Sequence, residues 1–165
     1  MLTALGIPPT IRPRHVGRAT EAADVNDEAL LSVARHWTWA DCVKEQFGSA
    51  LIGSAPDDVW SFYSRPEVGY MFIWYALLFA VCEGLKEQDV KIPGVQAEID
   101  GLYKKLRRCR NAVAHVQPKY WSRKLLDFVV LPENATAVRT VHDAIGEWIR
   151  DELFGRKLAS PEDFT

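Results

Sequence analysis

Arg110, Asn111 and His115 fall within six consecutive positions of the 165-residue chain and together supply the groups that phosphate chemistry uses. A guanidinium offers a planar fork of donors to two phosphate oxygens. An imidazole, with an ordinary pKa near 6.5, takes or gives a proton around neutral pH. The amide of Asn111 could orient the imidazole or bind the phosphate, and Glu83, earlier in the chain, could orient Arg110 from a neighbouring helix. At 3.6 residues per turn, positions five apart point about 140° away from each other, so one straight helix does not bring Arg110 and His115 to one face. They converge if the helix ends between them, or if a two-fold partner lays its own copy alongside. Each residue also has a purely structural reading: Arg110 paired with Glu83, His115 capping a helix C-terminus, Asn111 simply exposed.

The charge around these residues is segregated. Between Asp100 and Asp127 there is no acidic residue, while Lys104, Lys105, Arg107, Arg108, Arg110, Lys119, Arg123 and Lys124 are basic. The rest of the chain then holds 12 basic against 22 acidic residues, and the formal net charge is -2. No whole-molecule positive field draws the protein to a polyanion, but this interval makes a local patch suited to a phosphate backbone. A solvated helix face is the plain alternative.

Other chemistries find little support. His15, His36 and His142 sit in no H-x-x-x-H or H-E-x-x-H arrangement, and neither a G-x-S-x-G elbow nor a glycine-rich phosphate loop occurs. Cys42, Cys82 and Cys109 are odd in number and lack C-x-x-C spacing, which argues against a disulfide framework and a zinc knuckle and suits a reducing cytoplasm. No metal or cofactor is expected. Residues 1–14 carry three prolines and no apolar stretch of signal-peptide length. Residues 68–82 run without a charge but fall short of the roughly 20 residues that a spanning helix needs, so they read as a buried core helix rather than a membrane segment.

The elements that must position these groups follow from hydrophobic spacing. With 48% hydrophobic and 25% charged residues, the chain suits one globular domain. Residues 1–20 read as an N-terminal arm, 21–156 as a helical bundle and 157–165 as a tail. A first long helix is expected over about 24–47, ending before Gly48, and a short helical turn over 57–63. Ser64 to Glu67 has capping-box spacing with a proline in the first turn and starts a second helix running to about Gln88, apolar nearly all round and therefore central. After Pro93 and Gly94, a third helix buries Val95, Ile99, Leu102, Leu106, Cys109 and Val113 and finishes near His115 or Val116, because Pro118 bars continuation. Residues 120–130 are ambiguous between helix and extended chain. A last helix spans about 134–154, with Gly155 as its cap. The fold expected is all-α, a four-helix up-and-down bundle. On the third helix Arg110 lies about 40° from Leu106, at the edge of the apolar stripe, so packing should hold it in part.

Within residues 106–115, LRRCRNAVAH, the Arg110-Asn111 pair followed by His115 after four intervening residues resembles the HEPN family, whose ribonuclease members carry an Arg, usually a polar residue, then a His. The setting is similar too. The motif ends an amphipathic helix, follows an aromatic-rich helix ending in Cys82-Glu83-Gly84, and precedes a further amphipathic helix, so the resemblance covers roughly residues 65–154. It implies a homodimer with a composite cleft and a metal-independent endoribonuclease in which Arg110 and His115 act, Asn111 and Glu83 support, and Lys104, Arg107, Arg108, Lys119 and Arg123 bind RNA. The ribose 2′-hydroxyl would be the nucleophile, leaving a 2′,3′-cyclic phosphate and a 5′-hydroxyl. Many relatives are toxins or phage-defence effectors, which implies an antitoxin or regulatory protein as a further partner. The contrasting expectations are a non-catalytic HEPN-type module that binds nucleic acid, a nucleotide or a protein, and a purely structural dimerisation domain.

Overall fold

The structure, a computed structural model, describes residues 27–51, 64–115, 128 and 131–155. These form four helices, α1 (Asp27–Leu51), α2 (Pro66–Glu87), α3 (Gln96–Ala114) and α4 (Pro132–Gly155), and no strand occurs among the described residues. The architecture is the expected all-α four-helix bundle. The arm at 1–20, the turn at 57–63, the tail at 157–165 and, apart from Phe128, the ambiguous segment at 120–130 lie outside the described residues.

α2 is the central rod. It packs against α1 on one side and α3 on the other, and buries Trp74, Leu78, Phe79, Val81 and Cys82 almost completely. An aromatic ring of this kind removes about 150–250 Å² from water, which is why so short a bundle holds together. α2 has 22 residues and holds an 18-residue stretch of mean hydropathy 1.7, so it is long and apolar enough to cross a membrane by length and composition, although its uncharged run alone is too short. In this fold most of that apolar surface faces neighbouring helices, while Ile73 remains exposed.

Helix ends depart from expectation in instructive ways. α1 continues through Gly48 to Leu51. A helical glycine costs about 1 kcal/mol but does not stop a helix whose adjoining turns are held elsewhere, and here Phe47 packs against Trp74 with ring centroids 5.9 Å apart. The capping box at Ser64 does not form. The cap is Arg65, with no side-chain cap bond, and its guanidinium pairs with Glu67 instead. Pro66 opens the helix, since a proline there forfeits no hydrogen bond. α4 starts two residues earlier than expected, at Pro132, and Gly155 is still helical. The buried Asn134 holds this start in place: its Nδ2 donates to the Phe128 carbonyl at 3.3 Å and its Oδ1 accepts from Lys105 Nζ at 2.8 Å.

α2 ends in a Schellman motif. Asp89 N–H donates to the Lys86 carbonyl at 3.1 Å and Val90 N–H to that of Leu85 at 2.9 Å, and Asp89 takes the left-handed conformation, φ 51°, that glycine usually fills. α3 then buries Val95, Ile99, Leu102, Leu106 and Cys109 as expected, but Val113 is exposed and Ala112 takes its place against the core. Where α1 crosses α4, the Trp37 ring lies so close to Gly146 that a Cβ on Gly146 would overlap it.

Candidate functional site

Arg110 sits in the penultimate turn of α3, half-buried, with its guanidinium carbon 4.8 Å above the centre of the Phe79 ring. The stacking is a cation–π contact, and it confirms that packing holds this side chain at the edge of the apolar stripe. Glu83 does not orient it. The two form no ion pair, and Arg110 has no carboxylate partner among the described residues. Glu83 lies one turn beyond Phe79 on α2, so the helix register presents the ring where the carboxylate was expected.

His115 follows directly. α3 ends at Ala114, and His115 is its C-cap with extended backbone, φ -127° and ψ 135°. The helix therefore does end between Arg110 and His115, which releases the imidazole from the helical 140° offset. His115 is exposed and Asn111 half-buried. The C-cap position is equally the one that the structural reading of His115 requires.

Of the basic residues, Lys104, Arg107 and Arg108 are exposed, on the side of α3 opposite Leu102, Leu106 and Cys109. With Asn111 they form one outward stripe leading to His115. Lys105 is committed to Asn134. Lys119 and Arg123 lie outside the described residues.

A second polar cluster escaped the sequence reading. His142 of α4 is fully buried, stacked on Trp37 with ring centroids 5.2 Å apart. Its Nδ1 accepts from Trp74 Nε1 at 3.2 Å and its Nε2 lies 3.0 Å from Asp41 Oδ1. An indole N–H can only donate, so Nδ1 is unprotonated and Nε2 carries the proton to Asp41. Trp37 Nε1 donates to the His142 carbonyl at 3.0 Å, and Lys44 joins Asp41 at 3.5 Å to Asp143 at 2.9 Å. Burial pushes the His142 pKa down, against the opposing pull of Asp41. Burial also pushes the Asp41 carboxyl up, but the bond from His142 and the charge of Lys44 outweigh it and leave its pKa lowered. The signal was present in the sequence: His142 lies beside Val141 on the apolar stripe of α4.

The cysteines divide sharply. Cys82 and Cys109 are buried and burial pushes both thiols up to about 12, whereas Cys42 is exposed, and all three are free. No protein-family model, curated protein or solved structure matches the chain.

Proposed function

We propose that the protein is a metal-independent endoribonuclease of HEPN type, acting as a homodimer. One observation carries the reading: a half-buried guanidinium, seated on an aromatic face without a described carboxylate partner, five residues before an imidazole at the point where the helix gives way to extended chain. A guanidinium seated by its face on a ring keeps its in-plane N–H donors available for an anion.

In this reading Arg110 takes the non-bridging oxygens of one phosphodiester, and its charge stabilises the phosphorane. His115 removes the proton from the 2′-hydroxyl, whose oxygen attacks phosphorus; the bond from phosphorus to the 5′ oxygen breaks, and the imidazole of the second copy protonates that leaving oxygen. Asn111 hydrogen-bonds the phosphate beside Arg110. Lys104, Arg107 and Arg108 hold the flanking backbone.

The test is labelled RNA and its all-deoxy counterpart, incubated in chelator with wild type and with His115→Ala. The reading expects RNA cut to a 2′,3′-cyclic phosphate and a 5′-hydroxyl, intact DNA, and a loss of about 10²–10⁴-fold in the variant. Equal cleavage by both proteins overturns the role of His115. RNA bound but left intact by wild type makes the chain a non-catalytic binding module.

A further inference from the structure

The turn between α2 and α3 encloses a cavity of about 170 Å³ lined by Cys82, Leu85, Lys86, Asp89, Val90, Lys91, Gln96, Ile99, Asp100 and Tyr103. Its floor is apolar, since Cys82, Leu85 and Ile99 are buried. Its rim carries two ammonium groups, from Lys86 and Lys91, and two carboxylates, from Asp89 and Asp100. Drug-sized ligands occupy roughly 300–1,000 Å³, so this cavity takes something the size of a single flat ring system.

Two rim groups are held in place. Ile92 N–H donates to Gln96 Oε1 at 3.1 Å, and Gln96 Nε2 donates to Asp100 Oδ1 at 3.1 Å. This relay fixes the carboxylate and leaves Oδ2 unengaged among the described residues. Lys86 Nζ lies 4.5 Å above the Tyr103 ring. The Tyr103 ring in turn packs on Phe79, with centroids 5.3 Å apart, and Phe79 is the ring that seats Arg110. Two cation–π pairs therefore share one aromatic seam, which runs from the cavity to the candidate phosphate site. Tyr103 and Arg110 are seven residues apart on α3, about 10.5 Å along the axis.

We infer that this cavity is a guanine-binding subsite for the RNA strand whose phosphate Arg110 holds, about one to two nucleotides away. Among the four bases, only guanine presents two adjacent donors, N1–H and N2–H, to a carboxylate, and beside them an acceptor, O6, to an ammonium. Asp100 takes the donor pair and Lys86 the carbonyl oxygen. Adenine, cytosine and uracil each set a single donor group beside an acceptor, so each forfeits one of the two hydrogen bonds that guanine gives Asp100, a charge-assisted bond that favours guanine. A free guanidinium, the other ligand with paired donors, is disfavoured by the two lysines.

The location relative to the cleaved linkage rests on the ribonuclease reading; occupancy of the cavity does not. The test is therefore equilibrium binding of the four ribonucleoside 5′-monophosphates to the full chain, followed by calorimetry and by amide shifts, with base preference in RNA cleavage as a separate arm. Guanosine monophosphate is expected to bind at least about tenfold more tightly than the other three and to move the amides of residues 82–103. Asp100→Asn, which keeps an oxygen for Gln96, should remove that preference, whereas His115→Ala should leave it intact. Equal affinity for all four nucleotides, or an unchanged preference in Asp100→Asn, overturns the subsite whether or not the protein cuts RNA. Guanine selectivity without RNA cleavage keeps the subsite and discards the ribonuclease reading together with the one-to-two-nucleotide placement. Cleavage without regard to guanine discards the subsite and keeps the enzyme.

Discussion

Phe79 serves two masters, being 1% exposed in the core and the seat of the Arg110 guanidinium. Phe79→Leu keeps the position apolar but removes the ring face, worth about 0.5–2 kcal/mol. The proposed RNA cleavage should then fall about 2- to 30-fold, mainly in kcat, because the loosened cation acts on the transition state. Steady-state kinetics on a short RNA, beside a melting curve, separates this from simple loss of fold. His142 makes the second prediction at this scale. Its folded pKa is lowered by burial, so as pH falls the unfolded chain, with imidazole near 6.5, binds a proton first. The stabilisation is complete above about pH 6.5 and is lost as pH falls toward the folded value, because a protonated Nδ1 would face the Trp74 N–H donor to donor. His142→Gln can accept from Trp74 and donate to Asp41 without titrating, so its urea midpoint should stay nearly level between about pH 7.5 and 5.5 while that of wild type declines. The half-burial of Arg110 was legible from its place on the helical wheel. Its partner was not: exchanging Glu83 for Phe79 takes a slide of one turn, about 5.4 Å, between α2 and α3, and neither helix states its axial offset from the other.

Elements were read well where one stripe decides them and poorly where ends and neighbours decide. The apolar spacing of α3 holds from Val95 to Cys109; Val113 lies about five full turns from Val95 and so on the same side of the helix, yet it is exposed and Ala112 is buried, because tertiary packing rather than register decides the last turn. The Gly48 stop failed for a related reason, tertiary packing of Phe47 overriding a local preference. The Schellman motif after α2 shows the opposite case, a residue placed against local preference. Asp89 occupies the left-handed position, and Asp89→Gly should raise stability by about 1 kcal/mol, visible as a melting point higher by roughly 2–4 °C. An unchanged or lower melting point would show that the aspartate makes stabilising contacts of its own. On α3, Arg107 belongs to the outward basic stripe rather than to the candidate catalytic pair. Arg107→Ala should weaken RNA binding alike across sequences and reduce the slope of log affinity against log salt by about 0.7, as measured by titrations at several salt concentrations.

For the molecule as a whole, the bundle leaves Val113 41% exposed, two residues before His115. A two-fold contact at the helix end would cover this side chain while bringing two copies of the Arg110 and His115 pair together. Val113→Asp should therefore yield a particle of 18.7 kDa by light scattering, wild type being expected at about twice that mass, and should abolish the proposed cleavage with little change in melting point. Wild type that remains a single chain at high micromolar concentration would remove the composite cleft. The sealing of Cys82 and Cys109 gives a direct route to that question: maleimide reagents should reach Cys42 alone, on the surface of α1, in the untouched natural sequence. One nitroxide per chain then reports its nearest neighbour by dipolar spectroscopy, so a defined spin–spin distance would reveal pairing in solution and a featureless decay would reveal solitude.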